Sequence, residues 1–81
     1  KPSKVKPAKN LVGVTIRKIR LGLRTPVSQQ DLSARLAAGG VIIDQSAIAR
    51  IERGERSVLD LEAVAIAGAL KVPIERLFSK K

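Results

Sequence analysis

Apolar residues recur along this chain at spacings of three and four, in short bursts separated by proline, glycine and polar clusters. Val12, Ile16, Ile19 and Leu23 form the first such stripe and predict a helix over roughly Leu11 to Leu23. Arg17, Lys18, Arg20 and Arg24 surround it. Val14 and Leu21 trace a weaker apolar line on the other side, expected to be satellite core beneath a neighbouring helix, with a dimer surface as the alternative. Pro26 ends the helix and disfavours helical geometry at Thr25. Ser28 opens a second helix, with Asp31 three residues on in a near-capping-box and Leu32 and Leu36 facing inward. Ala37-Ala38-Gly39-Gly40 stops it, and the β-branched run Val41-Ile42-Ile43 reads as an extended connection pinned over the core.

The third helix carries the most chemistry. Asp44 is its expected N-cap, and Gly54 can take the left-handed conformation that ends it. Ala47, Ile48 and Ile51 share one face. Gln45, Ser46, Ala49, Arg50 and Arg53 lie elsewhere. A side that docks, backed by a side bearing an amide, a hydroxyl and two guanidiniums, suits a helix that reads base edges, because amides and guanidiniums make paired hydrogen bonds there. An ordinary amphipathic surface helix has the same apolar pattern.

A fourth helix is expected from Asp60, with Leu61, Val64, Ala65 and Gly68 on one face and Ala67 and Leu70 beside it. Gly68 costs a helix about 1 kcal/mol against alanine, so close packing is expected there. Pro73 then suits the start of a last short helix bearing Ile74, Leu77 and Phe78. The sum is an all-α domain of five short helices, spanning residues 11–79. It lies between a basic arm at 1–10 and a basic tail at 80–81. The second and third helices fit a helix-turn-helix, with the first, fourth and fifth completing the core.

Charge sharpens this picture only after it is divided. The formal net charge is +9, but Lys1, Lys4, Lys6, Lys9, Lys80 and Lys81 lie at the ends. Ten basic residues against seven acids remain over residues 10–79, a mild excess of +3. A basic tail suits a polyanion, since each neutralised phosphate releases counterions, and it equally suits a merely solvated terminus. Phe78 is the single aromatic residue, so the chain lacks the stacking platforms of single-strand binders, and duplex DNA is the better polyanion. The absence of Cys and His removes disulfides, thiol chemistry and the usual zinc ligands, so neither metal nor cofactor is expected. No apolar run approaches the ~18 residues of a membrane span, and a cytoplasmic location is expected.

Ser28-Gln29-Gln30-Asp31-Leu32, followed by Ile48-Ala49-Arg50-Ile51-Glu52-Arg53-Gly54, resembles the Xre family of Cro and lambda-repressor-like helix-turn-helix domains. Ala65 to Phe78 looks like that family's closing helices, so the resemblance covers residues 12–78. It implies a bacterial or phage transcriptional regulator that binds a palindromic duplex operator as a homodimer. By the same resemblance, Gln45, Ser46, Ala49 and Arg50 would face base edges in the major groove. Gln29 would hold a phosphate at the start of the second helix, and Arg53, Arg56 and Ser57 would contact the backbone. Glu52 would pair with Arg20 as structure, because an acid on the DNA face would repel phosphate. Asp44 stabilises the third helix as its cap, at an electrostatic cost near the groove.

The chain departs from the family in three places. Ser33 stands where an alanine is usual and must find a hydrogen bond. The turns before the second and third helices are both lengthened, through Arg24-Thr25-Pro26-Val27 and through Ala38 to Ile43.

A different class of function on the same fold is a protein-binding adaptor, such as an antitoxin or transcriptional bridging factor. Val14 and Leu21, or the 41–43 run, would then form the interface. Catalysis is not expected. Asp31 and Asp44 read as caps and Glu75 as a first-turn acid, with no paired acid and base to move a proton.

Overall fold

A computed structural model describes the backbone of residues 8–78 and the side chains of residues 12–78. Four α-helices and a closing 3-10 helix follow one another: α1 Ala8–Gly22, α2 Gln29–Ala38, α3 Gln45–Glu52, α4 Asp60–Leu70, then Ile74–Phe78. The described residues contain no strand. The all-α architecture is as expected, but the fifth element is a single tight 3-10 stretch and not an α-helix. α1 begins at Ala8, so the backbone of 8–10 is helical where an arm was expected. Residues 1–7 and the tail at 80–81 lie outside the described residues. α1 also stops at Gly22, three residues before Thr25-Pro26 is reached.

One core unites the elements. Val12, Ile16 and Ile19 of α1 meet Leu32 and Leu36 of α2, Ala47, Ile48 and Ile51 of α3, Ile66 and Leu70 of α4, and Leu77. α1 packs on α3 and on the closing 3-10 helix, while α2 packs on α3 and α4. Val27, in the lengthened turn before α2, is also buried, and its N–H donates to the Arg20 carbonyl at 3.1 Å.

The long connection from α2 to α3 is held at both ends. Gly40, at φ 92, closes α2, with its N–H on the Ala37 carbonyl and the Val41 N–H on the Leu36 carbonyl. That pairing satisfies carbonyls the helix end would otherwise leave open. The backbone then runs extended, with Ile43 buried and Ile42 80% exposed. Ser33 Oγ donates to the Ile43 carbonyl at 2.8 Å, which is the hydrogen bond that serine needed.

Two expectations are corrected. The core face of α4 is Ala63, Ile66, Ala67 and Leu70, whereas Leu61 and Val64 are 74% and 56% exposed. Its sequence is apolar nearly all round, so periodicity could not choose a face, and the choice fell to Ile66 and Leu70 packing between small alanines. Gly68 accordingly faces open space, with nothing within 4 Å of an added Cβ. The close approach is made at Gly13 instead, where an added Cβ would collide with the Ile51 carbonyl oxygen and crowd the Glu52 Cα at 3.1 Å. The second correction concerns Val14 and Leu21, which are 45% and 46% exposed and not satellite core. Among the described residues, no element covers Val14 or Leu21.

Candidate nucleic-acid interface

α3 is fixed at both ends by its own sequence. The Asp44 backbone is extended, and its carboxylate accepts from the Ala47 N–H at 2.8 Å. Gly54, at φ 79, takes the left-handed position, with its N–H on the Ile51 carbonyl and the Glu55 N–H on the Arg50 carbonyl. Between these caps Ala47, Ile48, Ile51 and Glu52 are buried. Gln45, Ser46, Arg50 and Arg53 are exposed and Ala49 half-buried, so the expected reading residues form one continuous outer face. Among the described residues the Arg50 guanidinium makes no ion pair, although its charge helps to lower the Glu55 pKa.

Behind α3 lies the expected Arg20–Glu52 pair, and it is bidentate. Arg20 Nε donates to Glu52 Oε2 and Nη2 to Oε1, both at 2.8 Å, while Nη1 donates to the Val27 carbonyl at 2.9 Å. Both side chains are under a tenth exposed. A two-pronged pair is rigid in a way a lysine contact is not. It therefore locks α3 against α1 beside the Gly13 contact.

From this pair a chain of hydrogen bonds runs outward. Gln29 Nε2 donates to Glu52 Oε1 at 3.0 Å, and Gln45 Nε2 donates to Gln29 Oε1 at 2.9 Å. Arg20, Ser28, Gln29, Gln30 and Gln45 line an open depression where the N-termini of α2 and α3 approach. Ser28 caps α2 by accepting from the Asp31 N–H at 3.0 Å. The free N–H groups of a helix start favour an anion, which suits a phosphate beside Gln29.

Of the remaining expected backbone contacts, Arg53 and Arg56 are already engaged in ion pairs. Arg53 presents its fork to Glu55 at 3.1 Å, and both are more than half exposed. Their hydrogen bond, then their charges, lowers the Glu55 pKa and raises that of Arg53. Arg56 is held more firmly. Its fork meets Glu62 at 3.0 and 3.1 Å, and Glu62 also accepts from the Leu59 N–H at the start of α4. The hydrogen bond from Arg56 lowers the Glu62 pKa against the opposing cost of burial. Arg56 thus ties the 55–59 loop to α4, with Nη1 also on the Ser57 carbonyl. The Asp44 charge reaches Arg56 too, so this acid acts beyond its cap.

Sequence reasoning placed every residue of the outer face but missed the connections among them. A glutamine at the first position of both α2 and α3 was the available signal for the Gln29–Gln45 contact. Nothing local in the sequence ties Glu52 to Gln29, which is 23 residues away. Among the described residues, no group of acids could hold a metal ion. None of their helices is long and apolar enough to cross a membrane.

This arrangement of a capped outer helix, a supporting helix before it and a buried pair behind it defines a helix-turn-helix domain. The helix-turn-helix family model matches residues 16–77, and the chain belongs to that family, of the Cro/C1 type. No curated protein sequence matches it. Among solved structures it is similar to the restriction-modification controller protein C.AhdI from Aeromonas hydrophila. The two are 26% identical, with a TM-score of 0.72 over 91% of this chain and all of that one. The DNA-binding domain of BldD is 18% identical, with a TM-score of 0.73 over 94% of this chain and all of that one. The clp gene regulator ClgR from C. glutamicum is 16% identical, with a TM-score of 0.74 over 95% of this chain and 87% of that one. The latter two share the fold.

Proposed function

We propose that this domain is a transcriptional regulator that binds duplex DNA sequence-specifically, laying α3 in the major groove. Gln45, Ser46, Ala49 and Arg50 face base edges, and Gln29, Arg53, Arg56 and Ser57 face phosphates. The observation that carries this reading is the outer face of α3. It gathers an amide, a hydroxyl and a guanidinium that has no ion-pair partner among the described residues onto a short helix held by caps and by the buried Arg20–Glu52 pair. The domain works in the cytoplasm as a homodimer on a palindromic operator, with recognition helices about 34–36 Å apart for half-sites one turn apart. Arg53 reaches a phosphate by exchanging Glu55 for it, which its exposure permits.

The exposed Val14, Leu21 and Ile42 favour a second reading, an adaptor that binds protein through one of these surfaces. Binding to duplex DNA over a salt series separates the two. A regulator keeps its site preference while affinity falls steeply as salt rises, because phosphate contacts release counterions. Weak binding indifferent to sequence at every salt concentration would overturn the regulator and leave the adaptor.

A further inference from the structure

We propose that Ile42, in the lengthened connection ahead of α3, reads the C5 methyl group of a thymine, a role that rests on the reading of α3 as the major-groove helix. It adds a specificity residue that lies outside that helix, in a stretch where the chain departs from the family.

Ile42 is the most exposed large apolar side chain among the described residues, at 80%. One exposed isoleucine means little by itself. What distinguishes Ile42 is that both of its neighbours are pinned. The Val41 N–H donates to the Leu36 carbonyl at 2.9 Å. On the other side Ile43 is buried, and its carbonyl accepts from Ser33 Oγ at 2.8 Å. Ile42 is therefore held outward by the fold and is not a loose tip.

Side chains alternate along an extended run, so Ile42 shares its side with Asp44 and not with the buried Ile43. Asp44 is the N-cap of α3, and its carboxylate accepts from the Ala47 N–H. Two residues of extended chain span at most about 7 Å. Ile42 thus stands at the leading end of α3, just ahead of the exposed Gln45 and Ser46.

A groove helix of this class meets base edges with its N-terminal residues. The chemistry at this end suits a base better than a phosphate. Isoleucine can neither donate to nor neutralise a phosphate, and the Asp44 charge repels one. Among the major-groove edges only thymine displays an apolar group, its C5 methyl. Contact between that methyl and Ile42 removes apolar surface of both from water. A pinned backbone and a β-branched side chain also leave little freedom to lose on contact.

Deoxyuridine in place of thymine removes this methyl alone and keeps the pairing edge. The full chain is titrated with the duplex it selects from random DNA, and with duplexes in which each thymine in turn is replaced by deoxyuridine. One such replacement in a half-site should weaken binding about four-fold, the effect of one buried apolar carbon. Ile42→Ala should lose a similar factor on the thymine duplex and no longer distinguish it from deoxyuridine at that position. Its response at every other thymine should be unchanged. Ile42→Leu, which keeps an apolar side chain, should retain the discrimination. Both variants should melt with the unsubstituted protein, since the side chain lies in solvent.

An unchanged deoxyuridine profile in Ile42→Ala would overturn the proposal and leave Ile42 to a protein-binding surface. An equal loss on every duplex would also overturn it, because it marks contact with no base in particular. A preferred site that lacks thymine, or tolerates deoxyuridine at each one, overturns the role of Ile42 alone and leaves α3 as the reading helix. The absence of any preferred site overturns both.

Discussion

The seam between α1 and α3 and the outer face of α4 contrast sharply, though each contains a helical glycine and apolar neighbours. In the seam, Gly13 admits the backbone of Ile51 and Glu52, and the Arg20–Glu52 pair is sealed beside it. On α4, Leu61 and Val64 stand exposed, and a Cβ added at Gly68 would meet nothing within 4 Å. The same residue type is an enforced contact in one place and an unneeded weakness in the other. The buried pair and the tight glycine contact both lie behind α3, whereas among the described residues nothing covers Leu61 and Val64 of α4.

Removing one half of the buried pair should have the largest effect. Glu52→Ala leaves the Arg20 guanidinium buried without its counter-charge and removes the acceptor for Gln29. A destabilisation of about 3–5 kcal/mol is expected, measured by chemical unfolding. For a small domain that is a large share of the total stability. The exposed Arg53–Glu55 pair has comparable geometry, but lies in solvent, where such pairs contribute about 0–1 kcal/mol. A similar loss from Glu55→Ala would break the contrast.

The two glycines sharpen it further and should respond with opposite signs. Gly13→Ala places a methyl against the Ile51 carbonyl, which is backbone and cannot rotate aside. Overpacking of this kind costs about 1–3 kcal/mol, and the separation of α1 from α3 should also disturb the reading face. Gly68→Ala meets open space in a regular helix and should stabilise by about 0.5–1 kcal/mol. Thermal melting of the two variants side by side reads the difference in sign.

These contrasts also mark what the sequence could disclose. The helices of the seam were legible because Val12, Ile16 and Ile19, and likewise Ile48 and Ile51, recur against a polar background. Asp44, Ser28 and Gly54 announced the helix ends through chemistry that acts within a few residues. The Arg20–Glu52 pair followed from the resemblance, not from spacing, since 32 residues separate its members. α4 was misread because nearly every position is apolar and a period needs contrast to be seen. Gly13 went unmarked for a related reason. A glycine in a helix can signal a close approach or nothing at all, and only the packing of α3 distinguishes Gly13 from Gly68. The outer face of α3 was read residue by residue, whereas the Glu52–Gln29–Gln45 chain depends on how the lengthened connection sets α3 against α2. That connection is anchored by Ser33 on the Ile43 carbonyl.

The most direct test of α3 as the reading helix is selection of bound sites from random duplex DNA by the unsubstituted chain and by Arg50→Ala. The unsubstituted chain should recover a preferred sequence, two-fold symmetric if it binds as a dimer. Arg50→Ala should lose preference at one base position in each half-site, a cost of about 1–3 kcal/mol there, and retain the others. Recovery of the same sequence with the same preference at every position would contradict the assignment of the outer face of α3 to the bases.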